Sequence, residues 1–292
     1  MRAIGSADGA DGADGADGAD GADGANGSRG DGGKPLLIRP IGVSPAVHKR
    51  PGEDWFRGNK WPPADLAVPF PNANPAKFPA GAWSAYHYSI VALGEFVQIN
   101  HPFAWHAINL PAVPIGQALQ DELDELRELI DYRAGVMSEA LAQRSSISTY
   151  WAGVFMFNKA SHPATYLLAQ IALRVAQFQA MHYKKKFDRP RPSQLSPSLM
   201  PPIDVPGHAS YPSAHSTEAH LLSGILAKVM PPEAKIPLQR MAERVARNRE
   251  VLGLHYQSDS EAGKTLAAET LTLLVKCHSV HGLIGQAQGE WA

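Results

Sequence analysis

Helical periodicity governs the chain from about residue 82 onward. From Gly116 to Arg144, Leu119, Leu123, Leu126, Ile130 and Val136 recur near helical spacing with acidic residues between them. Shorter or less regular helical signals cover 82–96, 149–157, 162–186, 212–229, 231–252 and 255–277. Runs of alternating β-branched residues are scarce, so strands have little to form from. The expectation is an all-α fold, a single helical bundle domain of six or seven helices over residues 83–292. Hydrophobic residues make up 44% of the chain, enough for a sizeable core.

The first 82 residues read differently. Glycine stands at every third position from Gly9 to Gly33, largely as an Ala-Asp-Gly repeat with no proline. Gly, Ala and Asp bury too little apolar surface to offset the entropy of ordering, so residues 1–33 are expected to be a disordered tail. Residues 34–82 hold ten prolines, which remove backbone donors and resist helix interiors. Trp55 and Trp61 lead us to expect this proline-rich, extended segment to pack on the body.

Charge divides along the same lines. The tail carries seven Asp against two Arg, and the rest of the chain carries 25 basic and 21 acidic side chains. A mildly basic body suits a small phosphorylated substrate and lacks the dense basic stripe of a nucleic-acid binder. Cys277 is the only cysteine, which excludes an intramolecular disulfide. No apolar run reaches membrane-spanning length; the best, 166–181, is broken by Arg174 and by glutamines. No integral membrane association is expected, and neither is a secretory leader. The protein is expected to be soluble and cytoplasmic by default, with a periplasmic or secreted location and a homo-oligomer left open.

Three segments collect cations, histidines and a carboxylate. In Lys184-Lys185-Lys186-Phe187-Asp188-Arg189-Pro190-Arg191-Pro192, Lys184 and Arg191 are seven apart, two turns along one helix face. In Tyr211-Pro212-Ser213-Ala214-His215, a loop enters a helix whose first backbone donors can hold an anion. In Arg249 to Asp259, His255 and Asp259 are four apart, so on a helix the carboxylate can fix the imidazole tautomer and leave the other nitrogen to attack. Arg249 lies about 600° of helix before His255, and a break near Gly253 is needed to bring the two together. Each segment alone is ordinary: a basic helix end, a Pro-Ser cap, a surface ion pair.

In order, the three resemble the pattern K-x6-RP, PSGH, SR-x5-H-x3-D of the superfamily that joins type 2 phosphatidic acid phosphatases, bacterial acid phosphatases and vanadium haloperoxidases. Arg191-Pro192 alone has a lysine seven positions back; Arg189-Pro190 would need His182 to serve. The motifs span Lys184 to Asp259. Ala214 replaces the glycine of the second motif and Asn248 the serine of the third. Residues 255–263, HYQSDSEAG, look like the HWQSDxxAG of the soluble bacterial acid phosphatase branch.

The resemblance implies a metal-independent phosphomonoester hydrolase with a phosphohistidine intermediate and no cofactor. It makes His255 the nucleophile, Asp259 its orienter and His215 the general acid. It assigns Lys184, Arg191, Ser213, Ala214 and Arg249 to the phosphoryl oxygens. Two alternatives stay open: a haloperoxidase holding vanadate in the same pocket, and a member that binds phosphate without turning it over.

The other histidines carry less. Spacings of seven and five do not put His208, His215 and His220 on one helix face, and no metal site is expected. His208 is expected at a loop or pocket rim, while His87, His101, His106, His162 and His182 have no partner pattern. Trp83, Trp105, Trp151 and Tyr183 are expected in the core. Substrate choice is expected to reside in 193–211 and before residue 110.

Overall fold

The computed structural model describes residues 83–99 and 104–292, and among them there is no strand. The expectations for the tail 1–33, for the segment 34–82 and for His101 fall outside the described residues. The described residues form ten α-helices in order: α1 Ala85–Ile99, α2 Gln117–Glu128, α3 Arg133–Ser145, α4 Ile147–Phe155, α5 Pro163–Phe187, α6 Pro192–Leu195, α7 Ala214–Leu226, α8 Lys235–Val251, α9 Gln257–Leu274 and α10 His278–Glu290. The all-helical expectation holds. No helix among the described residues is long and apolar enough to cross a membrane.

Two helices form the centre. α5 packs against α1, α7 and α10, and α7 against α5, α8 and α9. α7 is buried on nearly every side, which its small residues Ala214, Ser216, Ala219 and Ser223 permit. The α7–α9 contact depends on Gly263: a Cβ there would lie 2.7 Å from the Ser213 carbonyl oxygen and 2.8 Å from Ser216 Cβ. Leu168, Ile171 and Val175 of α5 meet Leu222, Ile225 and Leu226 of α7 and Leu266 of α9 in one apolar core. Trp151 and Tyr183 are fully buried there and Trp105 packs on it, but Trp83 is 42% exposed.

Helix ends follow local chemistry. Pro163 opens α5, and Asp188 closes it in the left-handed region at φ 49°. The Ser146 hydroxyl caps α4 by accepting from Thr149 N. Glu290 accepts from the first free backbone donors of α5, Ala164 N at 2.7 Å and Thr165 N at 2.9 Å, so the chain's end closes onto the central helix.

Three expectations need correction. The single helix read over 116–144 is two, separated by a 3-10 turn at Leu129–Tyr132. Its halves serve different clusters: Leu123 and Leu126 pack with Leu199 and Tyr256, whereas Ala140 packs with Leu252 and Leu254. One straight helix does not reach both. The helix read from His255 begins two residues later, because Tyr256 is extended (φ −83°, ψ 161°). Finally, α10 was not foreseen. Gly282, Gly285 and Gly289 dilute its periodicity, and glycine costs a helix roughly 1 kcal/mol against alanine.

Candidate active site

The third motif supplies the centre. α8 ends at Val251, and Gly253 takes φ 73°, a left-handed turn that side chains resist. This is the break that spacing required, and it brings Arg249 and His255 to one cavity. His255 stands before α9 and Asp259 within its first turn, so the pair does not share a helix face as the sequence reading supposed.

Asp259 is fully buried and faces four donors. Its Oδ2 lies 3.0 Å from His255 Nδ1 and accepts from Ser210 Oγ at 2.5 Å and Tyr256 N at 3.2 Å. Its Oδ1 accepts from Arg189 Nη1 at 2.6 Å. A carboxylate on Nδ1 places the imidazole proton there and leaves Nε2 as the acceptor. Arg191 reinforces this from the other side, with Nη1 3.2 Å from His255 Nε2. Both ring nitrogens are thus committed to one tautomer.

Arg191 is buried and held on three sides besides: Nε donates to His208 O at 3.0 Å, Nη1 to Leu254 O at 3.0 Å, and Nη2 lies 3.0 Å from His208 Nδ1. Arg249, 1% exposed, donates from Nη2 to Ala140 O. Arg191, Arg249, His215, His255 and Ala214 line one cavity of about 290 Å³. Gln177, Met181, Pro206, His208, Glu218 and Leu254 complete its wall. Ala214 and His215 are the first two residues of α7, so the positive end of that helix opens onto the site.

Two of the residues assigned to the phosphoryl oxygens, Lys184 and Ser213, do not line this cavity. Lys184, 2% exposed, donates from Nζ to Ala209 O at 2.8 Å and Ser210 O at 2.9 Å, and it lines an adjacent cavity of about 720 Å³. Ser213 is fully buried; its hydroxyl caps α7 by accepting from Ser216 N, and its backbone N donates to Asp259 O at 2.9 Å. Neither lines the smaller cavity. Ser213 registers α7 against α9, while Lys184 acts on the cavity through its charge. Asn248 turns away too, donating to Gln143 Oε1 at 2.9 Å on α3.

The electrostatics are those of a buried cationic pocket. Burial, then the charges of Arg191, Lys184, His208 and Arg249, hold His255 well below the usual imidazole range. Burial, then Arg249, His255, Arg191 and Lys184, do the same to His215. His208, against Lys184 and Arg191, is lowered to about 3, mainly by burial. All three rings are neutral near pH 7. His215 Nε2 is buried without a partner among the described residues, which suits a ligand contact.

Sequence reasoning missed Arg189, Ser210, Glu122, Gln177 and Glu218. The doubled Arg-Pro was a signal for the first; for the others there was none, because they join the site only through folding. His208 lies outside the helices and lines the wall of both cavities. Among the described residues no three His, Cys, Asp or Glu side chains form a metal-binding group.

Compared with known proteins, the sequence matches no family model and no curated protein. Among solved structures the chain is similar to the first bacterial vanadium-dependent iodoperoxidase, with a TM-score of 0.43 and 18% identity over 59% of this chain. The match spans 52% of that protein, about half its length.

Proposed function

We propose that the protein is a phosphomonoester hydrolase, needing no metal, that works through a phosphohistidine on His255. One observation carries the reading: His255 and His215 line one cationic cavity, His255 with Nδ1 on a buried carboxylate and His215 with Nε2 unpartnered among the described residues.

The dianion of a phosphomonoester enters between Arg191 and Arg249 and draws Arg191 away from His255 Nε2. Burial first, then the positive field, depresses His215; the ligand's charge offsets the field, and His215 takes up a proton as the ligand binds. The Nε2 lone pair attacks phosphorus, the ester P–O bond breaks, and His215 passes its proton to the departing oxygen. The imidazolium formed on His255 is stabilised through Nδ1–H by Asp259. Water, deprotonated by His215, then attacks phosphorus; the P–N bond breaks and phosphate leaves. Fixed cations stabilise the equatorial oxygens throughout, which is the main need in phosphoryl transfer.

The test is hydrolysis of a generic phosphomonoester between pH 4.5 and 8 with chelator present, for wild type and His255→Ala. Activity that survives chelation and vanishes in the variant is expected. Near-wild-type hydrolysis by the variant would overturn the assignment. Inactivity of both proteins would shift attention to the vanadate-dependent alternative, which a peroxide–bromide assay after vanadate loading separates from a phosphate-binding protein without turnover.

A further inference from the structure

The sequence carries two consecutive Arg-Pro pairs, and the structure divides their labour. Arg191 faces the cavity. Arg189, 4% exposed, faces the back of the His255–Asp259 pair; it is absent from the wall of the smaller cavity that holds His255, and lines the larger cavity beside Lys184 and Arg191. Its guanidinium makes three charge-assisted contacts: Nη1 to Asp259 Oδ1 at 2.6 Å and to Ser258 Oγ at 2.7 Å, and Nη2 to Glu122 Oε2 at 2.8 Å. It also lies over the Tyr256 ring, 3.7 Å from the centroid. Its backbone carbonyl accepts from Ser210 N at 2.8 Å, and Ser210 in turn donates its hydroxyl to Asp259 Oδ2.

Arg189 therefore reaches Asp259 by two routes, one to each carboxylate oxygen. Glu122 anchors the far end, accepting from Arg189 through Oε2 and from Ser258 N through Oε1 at 2.8 Å. This links α2, the loop after α5, and the first turn of α9 behind one imidazole.

We propose that Arg189 is a positioning residue for His255, acting through Asp259 and Ser210, with Glu122 as its anchor. The proposal rests on the reading of His255 as the attacking group. A carboxylate held at both oxygens cannot rotate, so the direction of the Nδ1–H bond, and with it the aim of Nε2, is fixed before substrate arrives.

The test compares Arg189→Met, Arg189→Lys and Glu122→Gln in the full chain. Three quantities are read: kcat and KM for a generic phosphomonoester, affinity for inorganic phosphate, and the exchange-protected His255 Nδ1 proton in the NMR spectrum of histidine-labelled protein. Arg189→Met should lower kcat roughly 10–100-fold, the usual cost of losing a group behind a ligand. KM and phosphate affinity should stay within about twofold, and the ring proton should shift or be lost to exchange. Arg189→Lys should recover part of kcat. Glu122→Gln, a milder change, should lower kcat a few-fold with KM unchanged, which keeps the test open should Arg189→Met fail to fold.

An unchanged ring proton and unchanged kcat in the folded variants would overturn the proposal. So would a loss of phosphate affinity as large as the loss of kcat, since Arg189 would then be a binding cation. A wild type that hydrolyses nothing, yet loses its ring proton in Arg189→Met, would sink the hydrolase reading and leave the positioning role standing.

Discussion

Arg191 and Arg249 show why cations of one site are not interchangeable. Arg191 is spent on backbone carbonyls, His208 and the lone pair of His255, so under the proposed mechanism an arriving anion would exchange contacts there. Arg249 reaches the same cavity from the last turn of α8, tied to Ala140 of α3. Arg249→Met should weaken phosphate binding and lower kcat/KM by about 10²–10³-fold, measured by competitive inhibition and steady-state rates. A loss under threefold would show that Arg249 does not touch the phosphoryl group. The motifs had grouped Arg191, Ala214, His215, Arg249 and His255, and the fold brings these five to one cavity. The positions of Lys184 and Ser213 were not legible, since spacing assigns a residue to a motif and says nothing of which layer its side chain occupies.

At the scale of elements, the site depends on two glycines. Gly253 turns the chain from α8 in a left-handed conformation so that Arg249 and His255 share a wall, and a break near it was anticipated from spacing alone. Gly263 lets α9 approach α7 so closely that Ser213 N reaches Asp259 O. Gly263→Ala must push the Ser213 backbone aside, so it should cost about 1–3 kcal/mol of stability and lower kcat as well. Thermal unfolding beside activity checks this; a variant of unchanged Tm would mean the helices separate freely. Helix positions were readable from periodicity. The kink between α2 and α3 was not, because it arises from two hydrophobic clusters that exist only in the folded chain. α10 escaped because its capping partner, Glu95, lies far away in sequence on α1.

The whole molecule stores positive charge in its interior, and stability should report it. His208, His215 and His255 have folded pKa values below the unfolded value of about 6.5. The native state therefore binds fewer protons than the unfolded chain below that pH. The stability these rings contribute is present above about pH 6.5 and is lost as pH falls toward their folded values. Tm should decline from pH 7 to pH 5, and inorganic phosphate should lessen the decline by offsetting the field. A flat Tm, or a phosphate effect that ignores pH, would contradict this electrostatic picture.

The proposed mechanism requires a covalent bond between phosphorus and one nitrogen of His255. Wild type mixed with a phosphomonoester, quenched in alkali within the first turnovers and digested, should yield a phosphorylated peptide bearing the group on His255, and His255→Ala should yield none. Phosphate found on another residue, or hydrolysis with no trapped intermediate while His255→Ala remains active, would contradict it.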